Sequence, residues 1–189
     1  TRLRVALMDL FNRSPAVGFE QPFEMLEACH ERVQRSLDLL ARLIDHVATR
    51  GHDAQSRSAA HDVLRYFDLA APHHHEDEER HVFPRVLAGG DAAQVATVQR
   101  LRDDHGRMGA LWSRLRPVLL AWSAEAAAGA APEAFGADAA AFAALYAAHI
   151  PVEEGLVFPA ARSRCAPADL QAMGDEMRSR RSTTATMPR

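Results

Sequence analysis

Apolar residues recur every three or four positions along most of the chain, the spacing of a single helix face. From about Gln21 to about Arg50 the series is Leu26, Val33, Leu37, Leu40, Ile44 and Val47, and His30 falls inside it. Gly51-His52-Asp53 then breaks the pattern. A second helix is predicted from about Ala54 to Ala88, with Val63, Phe67, Ala70, His74 and His81 inward. After Gly89-Gly90-Asp91, a third runs from about Ala92 to Ala126 with Val98, Leu101, His105, Met108, Trp112, Leu115 and Leu119 inward. The Ala-Gly-Ala-Ala-Pro stretch at 128–132 is the next connection. A fourth helix, about Ala134 to Ala161, carries Phe142, Leu145, His149 and Glu153 on one stripe. Four long amphipathic helices joined by short turns predict an all-α, up-down-up-down four-helix bundle. Residues 1–19 read as an N-terminal extension, 20–165 as the bundle, and 166–189 as a short fifth helix (about Pro167 to Arg178) followed by a disordered Ser/Thr-rich basic tail.

Composition narrows the function classes. At 189 residues the chain is long enough for one domain with a sizeable core. Its 48% hydrophobic and 25% charged residues are ordinary for a soluble domain. A net charge of −3 leaves no electrostatic case for nucleic acid. No apolar run long enough for a membrane span is read, and no signal peptide is expected. Cys29 and Cys165 stand alone, which fits a reduced, cytoplasmic protein. Ten histidines are many for this length and point toward metal.

The histidines are ordered. His74 to Pro84 reads HHEDEERHVFP and His149 to Pro159 reads HIPVEEGLVFP, sharing the frame H-x-x-x-E-E-x-x-V-F-P. In antiparallel neighbours, residues equidistant from a turn sit at one height. The midpoint of 30 and 74 is 52, that of 74 and 105 is Gly89-Gly90, and that of 105 and 149 is 127, each in or beside a connection. His30, His74, His105 and His149 are therefore expected in one layer, one per helix. The set repeats at an offset of 75 residues, pairing 30 with 105, 74 with 149 and 78 with 153, which predicts a pseudo-two-fold axis.

His74 and Glu78 are four apart and share a face, as do His149 and Glu153. Each unpaired carboxylate in a core costs roughly several kcal/mol, a cost that divalent cations remove. Imidazole plus carboxylate suits iron, manganese or zinc. Six ligands (His30, His74, Glu78, His105, His149 and Glu153) fit two ions better than one. Each ion would take two histidines, in an undecided pairing, with both glutamates bridging. Two carboxylates half-cancel two divalent charges, so an oxo or hydroxo bridge is also expected.

These residues resemble the hemerythrin-like, or HHE cation-binding, domain family. The resemblance rests on His30-Glu31, the two repeated motifs and Asp104-His105, and covers about residues 18–165. It implies a four-helix bundle holding a non-haem di-iron centre, with the same six residues as ligands. Oxygen-carrying members place two histidines four apart on the third helix. Here Gly109 stands where the second would be, so irreversible oxidation is expected in place of reversible carriage. The function expected is binding or sensing of a small ligand (dioxygen, nitric oxide or peroxide) or iron handling. The rivals are a di-iron oxidoreductase or peroxidase and a structural zinc-stapled bundle.

Other residues of the motif receive weaker expectations. His73 and His75 are expected to face neighbours or solvent, and Glu76 and Asp77 a solvated surface. Glu79 and Glu154 are read as surface pairs, the alternative being that they orient imidazoles. Phe83 and Phe158 read as core. Pro151 reads as a kink or as the origin of a local bulge. Tyr66 and Tyr146 read as packed core or as partners of a bridging oxygen.

Overall fold

The computed structural model describes residues 17–124 and 131–185. Expectations for the N-terminal extension before residue 17, the last residues of the third helix, most of the 128–132 connection and the end of the tail lie outside them. Every regular element among the described residues is helical. Helix α1 spans Pro22–Arg50, α2 spans 54–89, α3 Ala92–Ser123, α4 135–162 and α5 Pro167–Ala185.

The turns follow from their residues. Gly51 adopts φ 78°, the left-handed conformation that ends α1 cheaply only at glycine. Asp53 then caps α2: its carboxylate accepts from the Ser56 amide at 2.8 Å, and Ser56 Oγ accepts from the Asp53 amide at 2.9 Å. Asp91 and Gln94 build the same reciprocal box at the start of α3.

The described residues of 30–164 form one compact unit, and residues 17–29 and 165–185 belong to another. In the first, Val33, Leu37, Leu40 and Leu43 of α1 join Val63, Leu64 and Phe67 of α2, Leu115 and Leu119 of α3 and Phe142 and Leu145 of α4 in one core. In the second, Phe23, Leu26, Met173 and Met177 are buried. Gly174 lies so close to the Phe19 carbonyl that a Cβ there would overlap it. The tail reading is corrected here: α5 continues past Arg178 to Ala185. Arg180 pairs with Glu176 at 3.1 Å one turn back, support for these last turns that composition alone does not show.

Helices α2 and α4 are not uniformly α-helical. Three wide π turns interrupt them, at Tyr66–Ala70, Glu78–Val82 and Glu153–Val157, with i→i+5 bonds such as Phe83 N–H to Glu78 O and Phe158 N–H to Glu153 O. Each is followed, after one residue, by proline: Pro72, Pro84 or Pro159. Proline has no N–H for the carbonyl four residues back, and its ring would collide with that carbonyl. Widening the preceding turn relieves the clash. Pro117 and Pro151 sit within regular α-helix, so proline alone does not suffice. The bulge expected at Pro151 instead opens at Glu153.

The extra residue in each wide turn moves the buried stripe. Ala70 and His81, expected inward, are exposed and half-buried, while Ala71 and Val82 take the core positions. Helix α4 also differs from expectation: over Phe135–Arg162 it is long and apolar enough, by length and composition, to cross a membrane. Alanine is the commonest residue of that stretch, and the same helix buries His149 and Glu153.

Candidate metal centre

His30 on α1, His74 on α2, His105 on α3 and His149 on α4 meet in one buried layer with Glu78 and Glu153. Imidazole rings pair across the helices at 4.7 Å for His30 and His74 and 5.0 Å for His105 and His149. Both carboxylates are fully buried.

The predicted two-fold relation appears as matched distances. His74 Nε2 lies 3.1 Å from Glu78, and His149 Nε2 lies 2.9 Å from Glu153. His30 Nε2 lies 3.2 Å from Glu153, and His105 Nε2 lies 3.5 Å from Glu78. The longer diagonals are 3.7 Å for His30 to Glu78 and 3.9 Å for His105 to Glu153. Each glutamate thus stands between the two halves, as a shared ligand would.

These contacts are close but poorly aligned as hydrogen bonds. His30 Nε2 and all four oxygens of Glu78 and Glu153 are buried without a hydrogen-bond partner. Orphaned buried carboxylates are costly, so the atoms are placed for something other than one another. Two groups bring their ligand atoms within 4.8 Å of one another: His30, His74, Glu78 and Glu153, and His105, His149 and Glu153. All belong to donor types that hold divalent transition ions. The residues fit a metal pair, with His30 and His74 in one half and His105 and His149 in the other.

The electrostatics divide the six residues. Burial opposes charge on His30, yet the pull of the adjacent Glu153 and Glu78 carboxylates outweighs it and raises its imidazole to about 11. Burial, then the neighbouring Glu153, pushes the Glu78 carboxyl well above its ordinary range. Burial works the same way on Glu153, but His149 and His30 outweigh it and hold that carboxyl low. Burial drives His105 down to about 4 and lowers His74 as well. Lowering keeps His105 and His74 in the neutral form that binds metal, whereas His30 would release a proton to an ion.

A further ring of contacts surrounds these six residues. His30 Nδ1 lies 2.8 Å from Glu154, and His105 Nδ1 lies 2.8 Å from Glu79. The reading of Glu79 and Glu154 as surface pairs is corrected: both are partly exposed, yet each binds the outer nitrogen of an imidazole on another helix. Such carboxylates fix ring orientation and raise ligand basicity. Phe158 stacks on His30 and Phe83 on His105, each with ring centres 5.5 Å apart. The repeated V-F-P is thereby explained: the valine is core, the phenylalanine stacks on a histidine of another helix, and the proline ends the wide turn opened by the first glutamate.

The symmetry is broken in two places. Asp104, held by Arg107 at 2.9 Å, brings its other oxygen to 3.6 Å from His149 Nδ1. No carboxylate is found at that distance from His74 Nδ1 among the described residues, although neither Nδ1 has a hydrogen-bond partner there. His75, expected to face neighbours or solvent, stacks on His105 with ring centres 4.0 Å apart, and its Nε2 lies 3.5 Å from the Tyr146 hydroxyl. Asp77, expected on a solvated face, is fully buried. Glu76 pairs with Arg80 at 2.7 Å on the surface.

The family model described as the hemerythrin HHE cation-binding domain matches residues 21–161. A protein of Haemophilus influenzae described as an uncharacterized protein is 31% identical over 108 residues, 57% of this chain. The chain spans 62% of that relative's length. The match over residues 21–161 takes in the whole buried layer and both repeated motifs, and the chain belongs to the hemerythrin HHE cation-binding family.

Proposed function

We propose that the chain holds two divalent transition ions, with iron as the natural occupant, and uses them to bind or sense a small ligand such as dioxygen, nitric oxide or peroxide. One observation carries this reading: six buried side chains converge in two related halves, and the oxygens of both central glutamates lack hydrogen-bond partners. Family membership supports cation binding. His30 and His74 would hold one ion and His105 and His149 the other, with Glu78 and Glu153 shared. When bound, the ions supply positive charge, an open position for a small ligand and, for iron, a change of oxidation state.

The protein's own part is to position and to exclude. Glu154 and Glu79 fix the rings of His30 and His105, and Phe158 and Phe83 cover them. Gly109 contributes no imidazole, so the His105 half has fewer nitrogen ligands than an oxygen carrier's arrangement would have. The chain loaded with iron(II) is accordingly expected to colour in air and keep that colour on degassing. An optical spectrum followed through repeated aeration and evacuation tests this. Full return to the colourless form without added reductant would make the protein a carrier instead. A loaded protein that never colours would favour the structural zinc reading.

A further inference from the structure

A pocket of about 200 Å³ lies between α2, α3 and α4 beside His105. Its rim includes the exposed residues Pro72 and Gly109. Gly109 leaves real space: a Cβ there would meet nothing within 4 Å. The walls are aromatic, formed by Phe67, Trp112 and Phe142. They are also held in place. Phe67 and Phe142 pack edge to face at 5.0 Å, and the Trp112 indole donates to Asp68 at 2.9 Å, which Arg116 grips through both oxygens.

The floor is polar. His75 and Tyr146 both line it, 3.5 Å apart, beside His105. The pseudo-two-fold offset of 75 puts Ile150 where His75 would recur and Ala71 where Tyr146 would. The polar floor therefore belongs to one half of the bundle and is not a by-product of the repeat. Among the described residues, no Asp, Glu, Lys or Arg side chain lines the pocket.

Size and lining select a ligand class. An apolar cavity of roughly 150 Å³ accepts benzene, so this pocket admits one six-membered ring with a substituent and is far larger than a diatomic requires. Aromatic walls favour a ring in edge-to-face or offset contact. The Tyr146 hydroxyl and His75 imidazole each donate or accept a hydrogen bond. We propose that the pocket binds a neutral single-ring aromatic molecule bearing one hydroxyl, with its ring against Phe67, Trp112 and Phe142 and its hydroxyl at the His75–Tyr146 pair.

This goes beyond the small-ligand reading of the metal centre and is testable without it. Phenol and toluene are titrated into the full chain, as purified and after chelation, by calorimetry with Trp112 fluorescence as a second readout. Saturable one-to-one phenol binding is expected in both preparations, tighter than toluene by about three- to tenfold, the worth of one net hydrogen bond. Tyr146→Phe should bring phenol down to the toluene level and leave toluene unchanged. Gly109→Phe, which sets a ring at the rim where a Cβ meets no neighbour, should abolish binding of both with metal content intact. Absence of saturable phenol binding, equal affinity for phenol and toluene in the parent chain, or undiminished binding by Gly109→Phe would overturn the proposal.

Discussion

Glu153→Gln is expected to empty both halves of the metal centre. Glu153 belongs to both candidate ligand groups and lies 2.9 Å from His149 and 3.2 Å from His30. Glutamine keeps the shape and one acceptor oxygen but removes the negative charge that offsets the ions. Loss of a carboxylate outside the ligand set weakens metal binding by about ten- to a hundredfold, and loss of a shared ligand should exceed that range. Glu79→Ala supplies the graded comparison. It frees the outer nitrogen of His105 while leaving all six ligands, so it should fall within that range and still fill both positions at saturating metal. Parallel metal titrations of parent, Glu153→Gln and Glu79→Ala give the ordering. A Glu153→Gln protein that holds two ions as tightly as the parent would sink the assignment of that glutamate as shared.

Metal removal carries the second large effect, on stability. An ion that binds only the folded chain at a free concentration a thousandfold above its dissociation constant adds about 4.1 kcal/mol. In a chain of this size, each kcal/mol moves the unfolding midpoint by about 2–4 °C. The stripped protein is therefore expected to unfold about 8–16 °C below the loaded one for each such ion lost. The sign follows from the layer itself: without ions, the fully buried Glu78 and Glu153 face each other with no hydrogen-bond partner for their oxygens. Coincident melting curves with and without chelator would show that the layer gains nothing from cations.

Much of this arrangement is legible in the sequence. Three-and-four spacing placed the starts of α1 to α4 within one residue of those observed, and Gly51, Asp53 and Asp91 mark turns by mechanisms that depend on the residue itself. Equal heights about the turns placed the four histidines in one layer, and the repeat at 75 residues foretold the matched distances. What escaped the reading has a common cause. Helical periodicity assumes 3.6 residues per turn, and the wide turns at 66–70 and 78–82 break that assumption, so Ala70 and His81 were placed inward when Ala71 and Val82 are. Pro72, Pro84 and Pro159 each follow a wide turn, but Pro117 and Pro151 sit in regular helix, so proline alone does not locate such turns.

The outer contacts failed for a different reason. Whether Glu79 points to water or to His105 depends on a neighbouring helix, which spacing along α2 does not encode. The repeated second glutamate of the E-E pair was the available clue. His75 is the harder case, since its stacking on His105 and approach to Tyr146 involve residues from three helices and no repeat.

The central claim is that the doubled motif holds a pair of ions. Elemental analysis of the full chain, reconstituted with excess iron(II) under anaerobic conditions and freed of unbound metal, tests it most directly. The account predicts two ions per chain. One ion per chain, or none, would contradict it.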